Sequence, residues 1–237
     1  MNTCIKCNSE VQSNYCPNCG HPQKVERING RYILSEVTNV LNFQKGILYT
    51  TKELLIRPGH NIRTFISEDR NRLVKPIVFI LVTSLFYTLF LRIFNFEDAY
   101  INYSGTPEST SYAIFKWIQG NYGYSNMIMA VFIALWLKLL FRKYAFNFFE
   151  ILILLCFVMG IGMLIYAVFG ITQGLTGIHF MQIAAIVGFI YTTFALGQFF
   201  EQGKAMSYVK AFFAYILGML SFSIAAVVIG ILIDLIK

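Results

Sequence analysis

The cysteines at positions 4, 7, 16 and 19 are the residues whose type and spacing most clearly point to chemistry. The stretch "CIKCNSEVQSNYCPNCGHP" holds Cys4-x2-Cys7, then eight residues, then Cys16-x2-Cys19. Each C-x2-C pair offers two sulfurs to one metal. Four thiolates complete the tetrahedral shell of zinc and leave no open position for water. Such a centre is structural and not catalytic, and metal binding would supply the folding energy of so small a module, on the order of 10 kcal/mol. Pro17 shapes the second knuckle, and Gly20 relieves the chain where it folds back. His21 is an alternative ligand, but with four thiolates present it reads as a flanking turn residue. A disulfide pair would need an oxidising compartment, and a redox C-x-x-C would need a βαβ context. The segment between the knuckles, "NSEVQSNY", has one aromatic and no Lys or Arg. A phosphate-binding finger carries basic residues there, so no nucleic-acid partner is expected.

The elements that carry this module belong to a membrane. Hydrophobic residues make up 57% of the chain and charged residues 13%, against roughly 45–50% and 25% in a soluble domain. The excess is segregated into residues 77–237. A helix needs about 20 apolar residues to cross the hydrocarbon, and five segments answer: 76–95, 124–142, 148–170, 178–200 and 208–234. Lys138 interrupts the second. Small residues one turn apart (Ala184/Gly188, Ala214/Gly218, Ala226/Gly230) allow close helix packing. Gly160, Gly162 and Gly170 either do the same in the third span or weaken it into a hinge. Cys156, alone in that span, reads as packing. No cleavable signal peptide is expected at the N-terminus, where Met1 is followed at once by polar residues.

Net charge is +7, and its distribution sets orientation. Residues 1–75 contain 11 Lys/Arg and six acids. Arg142 and Lys143 lie between the second and third spans, and Lys204 and Lys210 near the start of the fifth. The other connections, 96–123 and "TQGLTG", are acidic or uncharged. Lys/Arg concentrate on the cytoplasmic side, which predicts a cytoplasmic N-terminus and an outside C-terminus.

Lys138 and Glu150 are equidistant in sequence from Tyr144, so an antiparallel hairpin brings them to matching depth. They are a candidate intramembrane ion pair, with snorkelling of Lys138 and a proton relay as alternatives. Gln173, His179, Gln182 and Tyr166 are polar groups near the outer side of the third and fourth spans, and their role stays open.

Ahead of the first span, apolar pairs recur every seven residues: Ile33/Leu34, Val40/Leu41, Ile47/Leu48 and Leu54/Leu55. They predict an amphipathic stripe broken near 42–46. After a turn at Pro58-Gly59, a short helix would bury Ile62, Phe65 and Ile66. Arg57, Arg63, Arg70, Arg72 and Lys75 would form an interfacial basic group. These helices would lie on the inner leaflet or against the bundle. The expected domains are therefore a zinc ribbon at 1–22, amphipathic interfacial helices at 23–75, and a five-helix transmembrane domain at 76–237. The fold class is all-α and polytopic.

The stretch "KGILYTTKELLIRPGHNIRTFISEDRNRLVKPIVFIL" resembles the core of a bacterial membrane-protein family known as domain of unknown function 3667. Its members often begin with a short zinc ribbon. Lys45, Gly46, Thr50, the Arg57-Pro58-Gly59 turn, Ile62, Arg63, Arg70, Lys75 and Pro76 match. Glu68-Asp69-Arg70 stands where the family commonly has Gly-Lys-Arg. The resemblance covers the ribbon, about 41–85 and the membrane layout, and implies location in a bacterial inner membrane without implying an activity. By topology alone the chain is also similar to the Yip1 family.

No H-E-x-x-H, G-x-S-x-G or Walker loop occurs in the sequence. An adaptor that displays the ribbon to a cytosolic or membrane partner fits what is present. A small transporter or lipid-handling protein regulated by the ribbon is the alternative, and a homo-oligomer stays open.

Overall fold

A computed structural model describes residues 2–4, 7, 9–11, 15–20, 46–94 and 109–236. The chain divides into two units, Met1–Leu41 and Asn42–Lys237. In the first, β1 (Asn2–Thr3) and β2 (Glu10–Val11) pair antiparallel, with Asn2 opposite Val11 and Thr3 opposite Glu10. The expected apolar pairs at 33/34 and 40/41, and His21, lie outside the described residues.

The second unit is helical: α1 (Ile47–Ile56), α2 (Pro58–Ser67), α3 (Pro76–Phe94), α4 (Thr110–Gly120), α5 (Tyr122–Leu140), α6 (Phe148–Thr176), α7 (Met181–Glu201) and α8 (Ala205–Ile236). Five of these, α3 and α5 to α8, are long and apolar enough to cross a membrane. The spans fall where hydropathy places them, and α6 and α8 run further. The 29 residues of α6 give a rod of about 44 Å, longer than the roughly 30 Å hydrocarbon core. It is one continuous helix, so its glycines make no break. Gly160 instead lets Phe79 of α3 approach, since an added Cβ would meet that ring at 2.7 Å.

The termini of α6 show why it starts and stops where it does. Asn147 Oδ1 accepts from Glu150 N–H at 2.9 Å, and Glu150 Oε2 accepts from Asn147 N–H at 2.7 Å, a reciprocal capping box. Gly177, at φ 71, ends the helix in the left-handed conformation. The helix packs against α1, α2, α3, α5 and α7 and carries much of the core, including Leu154, Leu155, Phe157 and Val158. In contrast, α3 and α8 turn broad apolar faces outward, with Leu85 70% and Ile224 62% exposed. Water would penalise such faces, whereas acyl chains cover them without cost.

The small-residue pairs do close contacts apart. Gly188 faces Tyr166, Gly218 faces Ile133 of α5, and Gly230 faces Ser111 of α4. Helix α4 lies in what hydropathy reads as a loop. It is too short to span, and it packs along α8. Ser109 accepts from Tyr112 N–H at its N-cap (3.2 Å), and Asp234 of α8 accepts from Thr110 N–H at 2.9 Å.

Pro58 is the first residue of α2, where its missing N–H costs nothing. The turn expected at Pro58-Gly59 therefore reduces to Arg57. As the pattern requires, Ile62, Phe65 and Ile66 are buried, with Phe65 edge-on to Phe157 of α6 at 5.3 Å.

Candidate functional site

The four predicted sulfurs converge. Sγ of Cys4, Cys7, Cys16 and Cys19 all lie within 4.8 Å of one another. Cys4–Cys19 and Cys7–Cys16 are 3.6 and 3.5 Å apart. A tetrahedron of 2.3 Å metal–sulfur bonds has edges of about 3.8 Å, so the donor set fits one tetrahedral ion. Local folding supports this arrangement. Cys4 N–H donates to Ser9 O at 2.9 Å, and Gly20 N–H donates to Cys16 O at 2.8 Å with Gly20 at φ 69. Both knuckles therefore curl their backbones around the cluster. Cys4 and Cys16 are buried, and Cys7 and Cys19 half-buried.

Ser9 is a participant that the cysteine spacing does not reveal. Its Oγ lies 2.8 Å from Cys7 Sγ and 3.2 Å from Cys16 Sγ. The Ser9 hydroxyl holds the Cys16 thiol down to about 6, and it lowers Cys7 as well. Thiolate is the metal-binding form, so this contact favours the ligand state. The one available clue was a hydroxyl residue two positions after Cys7.

A second constellation lies in the helical unit, where α2 meets the C-terminal end of α7. Gly59 N–H donates to the Gln198 side-chain oxygen at 2.8 Å. A Cβ on Gly59 would stand 2.3 Å from the Phe199 backbone nitrogen. Arg63 donates through Nη2 to the carbonyls of Phe199 and Phe200, the latter at 2.7 Å, placing a cation on the negative end of α7. Thr50 Oγ1 accepts from Val74 N–H at 3.1 Å, and Arg72 pairs with Glu53 at 3.1 Å. Tyr191 of α7 donates to the Leu54 carbonyl at 3.2 Å. The amphipathic helices are thus fastened to the bundle by polar contacts as well as apolar ones. Of the basic group, Arg63 and Arg72 are engaged in these contacts, while Arg57, Arg70 and Lys75 are exposed.

Lys138 and Glu150 have different partners. Lys138 Nζ donates to the Phe146 carbonyl at 2.6 Å, and Glu150 serves the α6 capping box. The ion pairs among the described residues are Arg72–Glu53 and Lys204–Glu201. Tyr144 donates to the Glu201 carboxylate, and this raises the pKa of its phenol. Gln173 Oε1 accepts from Phe180 N–H at 2.9 Å and closes the α6–α7 turn. His179 and Gln182 are exposed. Tyr166 lines a separate cavity of about 80 Å³ with Tyr87, Asn126, Met163, Tyr215 and Met219.

Fold and site together define a multi-pass helical membrane protein with a four-cysteine metal-type cluster. Residues 44–88 match the family described as "Protein of unknown function (DUF3667)". The match covers α1, α2 and α3 as far as residue 88, including Gly59 and Arg63. No curated protein and no solved structure matches the chain.

Proposed function

We propose that this protein is a non-enzymatic membrane adaptor. Cys4, Cys7, Cys16 and Cys19 hold one structural zinc ion, and the resulting ribbon is displayed in the cytoplasm to a cytosolic or membrane protein partner. The observation that carries this reading is the closure of the thiol cluster, whose four sulfurs take up every position of a tetrahedral ion. An ion so enclosed shapes a surface and does not activate water. Orientation follows from Arg142, Lys143, Lys204 and Lys210 near one set of span ends. The charge distribution supports a cytoplasmic N-terminus in a bacterial cytoplasmic membrane. The test is a paired affinity purification from native membranes in mild detergent, wild type against Cys4→Ser with Cys16→Ser at matched levels. Partners retained only by the wild type support the adaptor, and identical partner sets reject it.

A second reading, a small transporter regulated by the ribbon, draws on the cavity between α3, α5, α6 and α8. Asn126 and Tyr215 line it, and among the described residues neither side chain has a hydrogen-bond partner. Polar groups within apolar spans need one, and about 80 Å³ holds a few waters. Glycerol flux into proteoliposomes that falls in Asn126→Leu would favour this reading over the adaptor.

A further inference from the structure

A second hollow, of about 290 Å³, opens where α2, the 68–75 connection and the start of α6 meet. Its floor is apolar, made by Phe65, Ile66 and Ile153, and Phe149 stands at its rim, 74% exposed. Two opposite charges, Arg70 and Glu150, line the same hollow. They do not pair with each other, and neither is among the ion pairs of the described residues. Lys138, the cation whose sequence position mirrors that of Glu150 about Tyr144, donates to the Phe146 carbonyl. Asn147, also in the lining, is held in the capping box. Glu68 and Asp69 lie outside the lining, and Asp69 accepts from Asn71 N–H at 2.9 Å within its own turn.

The level of this hollow is set by its walls. Pro76 opens the span α3, and Glu150 sits in the first turn of the span α6. Both mark the boundary between hydrocarbon and headgroups, where a lipid's charged end lies. On the hydrocarbon side the exposed side chain Ile77 (63%) offers an apolar surface for acyl chains.

We infer that this hollow is a binding site for a zwitterionic phospholipid with a primary-amine headgroup, drawn from the surrounding bilayer. Arg70 would take the phosphate, since guanidinium matches phosphate oxygens in geometry and charge. Glu150 would accept from the ammonium through the carboxylate oxygen that the capping box leaves free. The occupant must carry both charges: phosphatidylglycerol offers Glu150 only uncharged hydroxyls, and a choline headgroup has no N–H to donate. Arg70 and Pro76 belong to the family segment, so the site joins that segment to the bilayer.

The experiment is native mass spectrometry of the full chain in detergent, titrated separately with dioleoyl phosphatidylethanolamine, phosphatidylcholine and phosphatidylglycerol. The expected result is retention of phosphatidylethanolamine at concentrations about tenfold lower than the other two, the effect of one charge-assisted contact. Glu150→Gln keeps an acceptor for the capping box and should bring phosphatidylethanolamine to the level of phosphatidylcholine. Arg70→Gln should weaken all three. Equal retention of the three lipids by the wild type, or strongest retention of phosphatidylglycerol, overturns the proposal without recourse to any variant. An unchanged preference in Glu150→Gln also overturns it.

Discussion

Ser9, Gly59 and Arg63 each act through one contact. Ser9 reaches two ligand sulfurs, and hydrogen bonds of that kind tune metal affinity by about 10- to 100-fold. Ser9→Ala should keep the metal stoichiometry but release zinc faster to a chelator, measured by competition with a chromogenic indicator. Gly59 touches the α7 backbone, where neither partner can move aside. Gly59→Ala should lower stability by about 1–3 kcal/mol, seen as a lower melting temperature in detergent, whereas Gly203→Ala, with open space around it, should melt like the wild type. The four cysteines were legible because metal geometry demands their spacing. Gly59 was legible only as a turn residue, because its reason is a helix about 140 residues away in sequence. Arg63 was expected in the interfacial basic group; it is exposed and is also half of a helix-terminus contact whose other half no local pattern reveals.

Among the elements, spans α3 and α5 to α8 were legible from apolar length alone, since hydrocarbon imposes that length on any crossing helix. Helix α4 was not. Its 11 residues are too few to span, and it is held by tertiary contacts that hydropathy cannot register. Those contacts are the close approach at Gly230 and the Asp234 carboxylate at its N-terminus, where negative charge is favoured. Gly230→Leu should therefore push α4 off α8 and raise amide exchange across 110–120 while exchange in α6 stays unchanged. Equal protection in variant and wild type would remove this crossing as the reason α4 is ordered. The Lys138–Glu150 pairing was read from sequence symmetry about Tyr144, and other partners take each charge. The exposed carbonyl of Phe146 and the N-cap amide of Asn147 lie closer along the chain.

For the whole molecule, the helical unit is built around α6, with α3 and α8 turned outward and with α1 and α2, both inside the family segment, packed against α6 and α2 also against α7. The four-cysteine module is a separate unit, and its closed thiol set is the basis for the adaptor reading. That reading depends first on a metal being present. The most direct measurement is elemental analysis of the full chain, purified in detergent without added metal, alongside Cys16→Ser. The account predicts one zinc per chain in the wild type, resistant to mild chelation, and its loss in the variant. Absence of stoichiometric metal, or zinc retained equally by Cys16→Ser, would contradict it.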